Sequence, residues 1–218
     1  MNRKGIFVTG TDTDVGKTWV GQSLIAGLAA CGLSVIPRKP AESGWPIDVT
    51  ESDAWKLANA AKVTDQLDLV CPHRFQAAIS PVRAAALEHV SLTVNQLKTA
   101  CLNIADDEFL YVEGAGGFYS PLVSDGLNAD LAEALHLPIV LIANDRLGII
   151  NQVLLSQEAI TGRGLELRCV ILNETSPKHE VDSMDNLADL RNLLDVPVFS
   201  FGYQQQEVSH EWLSVISD

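Results

Sequence analysis

The chain has 218 residues, of which 47% are hydrophobic and 20% are charged, and its formal net charge is −13. This length and composition predict one globular domain, residues 1–218, with a sizeable hydrophobic core. The acidic charge argues against nucleic acid and anionic membranes as partners, although a local group of cations can still bind an anionic substrate.

The first predicted elements are a short β-branched strand (residues 6–9), a turn-rich loop (residues 10–18) and a helix that follows the loop. The loop, which we call the phosphate-binding loop, ends in Gly16-Lys17-Thr18. A strand, such a loop and a helix in this order are typical of nucleotide-binding enzymes. The usual spacing requires glycine at position 11, where this chain has threonine, so the loop is a variant.

The residue types in this loop suit the phosphates of a nucleotide. Gly16 lets backbone N–H groups approach phosphate oxygens, and the helix N-terminus adds a partial positive charge there. Lys17 brings a full positive charge to the terminal phosphates, and the Thr18 hydroxyl is a suitable ligand for Mg²⁺. The loop therefore predicts a site for a magnesium–nucleotide complex.

Apolar runs alternate with helical patterns along the rest of the chain. Further strands are predicted over residues 33–37, 109–112, 138–143, 169–172 and 196–199. Helices are predicted over residues 52–58, 81–88, 92–102, 127–135, 149–160 and 187–194, whereas residues 38–46 and 72–80 read as irregular. This alternation predicts an α/β, P-loop NTPase-like fold, with a mostly parallel sheet and helices on both faces.

Polar residues follow several of the predicted strands, and ligands of such sheets bind beyond the carboxyl ends of the strands. Lys39 follows the second strand directly; lysines are usually solvated, but this position favours a role in the site. Glu113 ends a buried strand, where a carboxylate needs a partner, so we predict a metal-linked role. Asp53 opens a helix after Ser52 and could serve either as a cap or as a ligand.

Two further positions have both a structural and a functional interpretation. Residues 148–151 open a helix after the most apolar strand, and their free N–H groups could hold a carboxylate or phosphate or could simply start the helix. Asn173 follows a strand directly and could contact a nucleotide base or cap a turn.

No apolar stretch reaches the roughly 20 residues that a membrane-spanning helix needs, and residues 1–10 lack the apolar region of a secretion signal. The four cysteines are widely spaced, which favours free thiols in a reducing compartment. The sequence therefore predicts a cytoplasmic protein. The five histidines have no spacing typical of metal ligands, and none is assigned a role.

Four segments, in this order, resemble the dethiobiotin synthetase family. They are VTGTDTDVGKT (residues 8–18), KPAESG (39–44), SDA (52–54) and VEGAGG (112–117). Weaker matches are F-x-x-x-x-S-P (75–81), L-G-x-I-N (147–151) and Leu172-Asn173. The first segment is highly specific, and it accounts for the shifted glycine because the loop of this family has the same longer form.

The resemblance implies a homodimeric, ATP-dependent cyclo-ligase that uses Mg²⁺, CO₂ and 7,8-diaminononanoate. One substrate amine becomes a carbamate, and ATP phosphorylates this carbamate to a mixed carbamic–phosphoric anhydride. The second amine then displaces phosphate and closes the ureido ring, which gives dethiobiotin, ADP and phosphate.

The resemblance also implies roles for individual residues of this chain. The metal ligands would be Thr18, Asp53 and Glu113. Catalytic contacts to the carbamate and the transferred phosphoryl group would come from Lys17, Lys39 and Thr11. The substrate would be bound by Ser43 and, through its carboxylate and across a dimer interface, by the helix start at Gly148, Ile149, Ile150 and Asn151. The nucleotide would contact Asp14, Val15, Gly16, Lys17, Thr18, Glu113 and Gly116, and Asn173 would contact the adenine.

Three positions or segments depart from the family pattern. Glu42 stands where the family often has a small or amide residue, which adds negative charge beside an anionic site. Residues 75–82 lack the usual Glu-Pro, at Ala77-Ala78, and the histidine at Val82. Residues 199–203 lack the usual Gly-x-x-Pro. The predicted phosphate and metal residues are unaffected.

Two other classes share the phosphate-binding loop. Amide-forming ligases of the cobyrinic acid diamide synthase type usually add a glutamine amidotransferase domain, for which 218 residues leave no room. Partition or positioning ATPases carry K-G-G-x-G-K-T, and this chain has Asp12 at the position of the first lysine. The acidic charge also counts against an ATPase that acts on DNA or a membrane.

Overall fold

The computed structural model describes residues 4–177 and 184–218, so His179 and the first three residues lie outside the described part of the chain. The strands are β1 (Gly5–Gly10), β2 (Val35–Arg38), β3 (Ala41–Ser43), β4 (His73–Phe75), β5 (Phe109–Gly117), β6 (Pro121–Val123), β7 (Gly126–Leu127), β8 (Ile139–Asn144), β9 (Leu167–Asn173) and β10 (Val198–Phe201). The helices are α1 (Lys17–Ala30), α2 (Asp53–Ala60), α3 (Leu67–Val70), α4 (Pro81–Leu87), α5 (Val94–Cys101), α6 (Asn128–Leu135), α7 (Ile149–Gly162), α8 (Asn186–Leu193) and α9 (His210–Ser217).

The centre of the fold is a six-stranded sheet in the order β10-β9-β8-β1-β5-β2, in which every neighbouring pair is parallel. Successive residues of a strand point to opposite faces, so the buried strands supply two cores. Ile6 and Val8 pack with residues of α1 and α9 on one face, and Phe7 packs with residues of α4 to α8 on the other. The predicted α/β fold with a mostly parallel sheet and helices on both faces is confirmed.

The order of the strands creates a crevice beside β1. The chain passes from β1 to the edge strand β2, returns through β5, and then crosses to β8 on the other side of β1. Loops on the two sides of such a reversal diverge beyond the carboxyl ends of the strands, which leaves room for a ligand. The loops that follow β1, β2 and β5 meet there, and they carry the predicted site residues.

The predicted boundaries are wrong at three strands: two short strands were not predicted, and one strand is longer than predicted. Residues 38–46 and 72–80 are not entirely irregular, because β3 and β4 form a small parallel sheet there. Strands of three residues are too short to show the alternation by which strands are recognised. Strand β5 continues five residues beyond the predicted end to Gly117, which pairs with Gly10, so Glu113 lies inside a strand and not at its end.

Helix α9 was not predicted, although Trp212, Leu213 and Ile216 are buried at helical spacing. Strand β10 begins at Val198, two residues later than predicted. Pro197 has no N–H group to donate to a strand ladder, which explains the later start. No helix within the described ranges is long and apolar enough to cross a membrane.

The cysteines have unequal environments, and this predicts a labelling pattern. All four are free; Cys31 is exposed, and burial raises the pKa of Cys71, Cys101 and Cys169 to about 12. Because the thiolate is the nucleophile, we expect an aromatic disulfide reagent at about pH 8 to label one thiol per native chain rapidly and all four after denaturation. Cys31→Ser should abolish the rapid absorbance change. Rapid labelling of a second thiol in the native protein would contradict this pattern.

Candidate active site

The phosphate-binding loop connects the carboxyl end of β1 to α1. Gly16 has φ 89°, a left-handed conformation that favours glycine, and it forms the N-cap of α1. Within the described chain no side chain caps this helix end, so its first N–H groups remain available for an anion. The Lys17 ammonium folds back and donates to the Asp12 carbonyl oxygen at 3.0 Å. This geometry suits the binding of phosphate groups.

A cluster of charged side chains lies beside the loop. The Lys39 ammonium is 2.6 Å from Glu113 Oε1 and 2.9 Å from Asp53 Oδ2. The Thr18 hydroxyl donates to Glu113 Oε1 at 2.8 Å. Two predicted metal-linked carboxylates, from β5 and α2, therefore converge on one ammonium group, and the Thr18 hydroxyl from α1 contacts one of them.

The two lysines of the site have different electrostatic environments. Burial alone disfavours the Lys39 ammonium, but Glu113 and Asp53 outweigh burial and raise its pKa. Burial and the charge of Lys39 lower the pKa of Lys17 to about 8. Lys39 is therefore held as a cation by carboxylates, whereas Lys17 is a cation that would be stabilised by added negative charge, such as that of a phosphate group. The solvated interpretation of Lys39 is excluded, because only 4% of the residue is exposed.

Two residues that support the cluster were missed in the sequence. The Tyr111 hydroxyl donates to Glu113 Oε2 at 3.3 Å. The two residues are separated by two positions in one strand and so share a face, a signal that the sequence contained. The fully buried Asn128 donates to the carbonyls of Ala115 and Gly117 and accepts the Ala115 N–H. An asparagine at a helix start normally reads as a cap, so nothing in the sequence marked this role.

The donor set of Thr18, Asp53 and Glu113 fits Mg²⁺ that is held jointly with a nucleotide. Two carboxylates and a hydroxyl are hard oxygen ligands, and the carboxylates already bind a cationic group. Within the described ranges no group of three or more His, Cys, Asp or Glu side chains could hold a metal alone. Mg²⁺ usually takes one or two carboxylates and completes its shell with phosphate oxygens and water, so the smaller set is appropriate.

A cavity of about 1140 Å³ opens over this cluster. Its size suits a nucleotide together with a small second substrate, since ligand pockets commonly measure about 300–1,000 Å³. Of the predicted site residues, the cavity is lined by Asp14, Gly16, Lys17, Thr18, Lys39, Ser43, Asp53 and Gly116. The fold therefore brings these eight predicted residues to one cavity.

Other predicted site residues lie apart from this lining. The Asn173 amide nitrogen donates to the Val15 carbonyl at 3.0 Å, which ties β9 to the phosphate-binding loop. Its Oδ1, like Thr11 Oγ1, is buried and has no hydrogen-bond partner among the described residues. Residues 148–151 do not line the cavity, although Gly148 is the N-cap of α7 and has φ 86°.

Glu42, the unusual residue of the second segment, is largely buried and is one of the residues that line the cavity. Burial raises its pKa, and the charge of Lys39 together with hydrogen bonds from Asp53 and Ala54 opposes this rise. Its carboxylate therefore faces cationic and N–H groups as well as the anionic site.

A family model described as an AAA domain matches residues 4–201 of the chain. A protein from Anaeromyxobacter dehalogenans strain 2CP-1, described as an ATP-dependent dethiobiotin synthetase, is 38% identical over 191 residues, which cover 87% of this chain and 85% of the relative. The chain belongs to the dethiobiotin synthetase family. Synthetases of the same description from Ruthia magnifica and Rhodopirellula baltica are 38% and 34% identical and cover 80% and 88% of this chain, with 81% of each relative covered.

A solved structure with a similar fold is a nucleotide-binding protein from Archaeoglobus fulgidus in complex with ADP. It has a TM-score of 0.51 and 9% sequence identity, and the match covers 99% of this chain and 86% of that protein. At this identity the likeness concerns the fold alone. This chain thus shares its overall fold with that protein.

Proposed function

We propose that this chain is an ATP-dependent dethiobiotin synthetase that converts 7,8-diaminononanoate, CO₂ and ATP to dethiobiotin, ADP and phosphate. One observation carries the proposal: the Lys39 ammonium, held by Asp53 and Glu113, lies beside a phosphate-binding loop in a single cavity. Family membership supports the substrates, because the relatives are described as dethiobiotin synthetases. The partition-type ATPase and the amide-forming ligase are not favoured by these relatives.

The chemistry brings several negative charges together. A carbamate oxygen must attack the γ-phosphorus of ATP while ADP leaves, and both reactants are anions. Lys17, Lys39 and the N-terminus of α1 supply positive charge that attracts these anions and holds them at reacting distance. Thr18, Asp53 and Glu113 would hold Mg²⁺, which when bound would neutralise charge on the phosphates.

Ring closure would use the same two lysines, which remain beside the mixed anhydride. The second amine attacks the carbonyl carbon of the mixed anhydride, the bond to the phosphate oxygen breaks, and phosphate leaves with its charge stabilised by the lysines. The protein forms no covalent bond in this sequence. Catalysis would rest on positioning and on electrostatic stabilisation, as is general for phosphoryl transfer.

The remaining assignments belong to the same proposal. Thr11 and Ser43 would hydrogen-bond the substrate, Asn173 would bind the adenine, and the start of α7 at residues 148–151 would bind the substrate carboxylate across a homodimer interface. Residues 148–151 do not line the cavity of the single chain, so this assignment requires a second chain to supply the helix end. Light scattering should give the mass of two 23.6 kDa chains; the mass of one would contradict the dimer. The 218 residues would act as one domain in the cytoplasm.

The decisive assay supplies ATP, Mg²⁺, bicarbonate and 7,8-diaminononanoate. We expect dethiobiotin by mass spectrometry, together with one ADP for each dethiobiotin formed. Omission of the diamine should abolish ADP release. ADP formation at the same rate without the diamine would overturn the proposal.

A further inference from the structure

The first turn of α2 is tied to the neighbouring strand β3 by one side chain. Glu42 Oε1 accepts the Asp53 N–H at 2.8 Å, and Oε2 accepts the Ala54 N–H at 2.9 Å. The next N–H, of Trp55, is bound by the Ser52 hydroxyl at 3.1 Å. The first N–H groups of a helix have no intrahelical partners, so Glu42 satisfies two of them from outside the helix.

Asp53 is the residue that this attachment holds most directly. Glu42 accepts the backbone N–H of Asp53, while the Asp53 carboxylate contacts the Lys39 ammonium. A displacement of about 1 Å at such a ligand is enough to weaken a catalytic site strongly. The position of the Asp53 carboxylate therefore depends on where the backbone of this turn is fixed.

Glu42 is well placed to fix that backbone. It is only 6% exposed, and the strand that carries it pairs with β4, where Glu42 is in register with Arg74. A carboxylate on a paired strand is a firmer anchor than water, which would otherwise bind these N–H groups. The positive end of the helix dipole and the Lys39 ammonium offset its negative charge.

We infer that Glu42 is a positioning residue that holds the metal ligand Asp53 in place through the backbone of α2. The inference rests on the proposed function for the identity of the metal ligands. It also gives a reason for the departure at position 42: the additional carboxylate is directed at the helix end and need not contact the anionic substrates. Glu42 would therefore control metal affinity and leave the chemical step intact.

The test measures Mn²⁺ binding by electron paramagnetic resonance in the presence of ADP, with the full chain. We expect Glu42→Ala to weaken Mn²⁺ binding about tenfold or more, as losses of outer-shell partners of metal ligands commonly do. Glu42→Gln keeps one acceptor oxygen and should give a smaller loss. The matched control is Glu108→Ala, since Glu108 also accepts a backbone N–H, from Ala105 at 2.7 Å, but lies outside the cavity lining and precedes β5.

Steady-state kinetics separate positioning from direct contact with the reactants. The KM for Mg²⁺ should rise in Glu42→Ala, while kcat at saturating Mg²⁺ stays within about threefold of the unaltered enzyme. In Glu42→Gln the rise in this KM should be smaller. Unchanged Mn²⁺ affinity, or a fall in kcat that saturating Mg²⁺ does not restore, would overturn the inference. If Glu42→Ala does not fold, Glu42→Gln decides the matter: wild-type Mn²⁺ affinity in that variant would overturn it.

The metal measurement is independent of the reaction. Weakened Mn²⁺ binding together with ADP release that ignores the diamine would refute the proposed function and leave the role of Glu42 intact. Normal dethiobiotin synthesis with unchanged Mn²⁺ binding in both variants would refute the role of Glu42 and leave the proposed function intact.

Discussion

Replacing Lys39 with alanine should lower the rate of dethiobiotin formation at least about tenfold while ATP still binds. Loss of one preorganised electrostatic contact to a developing charge commonly costs about 10²–10³-fold in rate. ATP binding should persist because the phosphate-binding loop, with Lys17 and the N-terminus of α1, does not depend on the Lys39 side chain for its backbone contacts. The KM for ATP should therefore change much less than kcat.

The same substitution should lower the stability of the protein. Glu113 is 1% exposed, and without Lys39 it would face Asp53 without an intervening cation. Removal of one partner of a buried ion pair costs about 3–5 kcal/mol, so folding must be checked by thermal unfolding. Lys98→Ala, on α5 and outside the cavity lining, is the control and should keep full turnover. Unchanged turnover in a folded Lys39→Ala protein would remove Lys39 from the reaction.

Replacing Gly16 with alanine should weaken ATP binding about tenfold or more. The added Cβ would overlap the Asn173 amide nitrogen, which itself holds the Val15 carbonyl. Either Asn173 or the loop must move, and overpacking of this kind costs about 1–3 kcal/mol. A movement of the loop turns the first N–H groups of α1 away from the phosphates.

Gly32→Ala is the matched control for this prediction. Gly16 and Gly32 both have φ 89°, but a Cβ on Gly32 would meet no described heavy atom within 4 Å. Both variants should lose about 1–2 kcal/mol of stability through the left-handed conformation, and only Gly16→Ala should lose nucleotide affinity. Calorimetric titration with ATP or ADP measures this affinity. Equal affinities in the two variants would show that the contact with Asn173 does not matter.

The strands of the main sheet could be predicted from the sequence because they are buried on both faces. Four of its six strands, β1, β5, β8 and β9, contain a continuous run of buried apolar residues, and such a run can be recognised without knowing its partner strand. The phosphate-binding loop could be predicted for a different reason: phosphate binding by the backbone requires particular residue types at fixed spacing. Lys39 and Glu113 were then selected by their positions near the carboxyl ends of strands.

Contacts between segments that are distant in the sequence could not be predicted. The amide of Asn128 that holds Ala115 and the carboxylate of Glu42 that holds α2 both bind backbone groups, and a backbone N–H or carbonyl leaves no mark in a sequence. The short strands β3 and β4 are stabilised by their pairing with each other. No local sequence pattern predicts this pairing.

The amino-acid sequence by itself determined the α/β fold, the phosphate-binding loop and the family of this chain, because each depends on residue types at short spacing. The tertiary structure decided that Lys39 lies between Asp53 and Glu113 and that Glu42 faces a helix end. These relations join residues that are 11 to 74 positions apart. Because β2 and β5 are parallel neighbours, Lys39, which follows β2, comes within hydrogen-bonding distance of Glu113 on β5. That proximity gives two lysines and three carboxylates a common electrostatic environment.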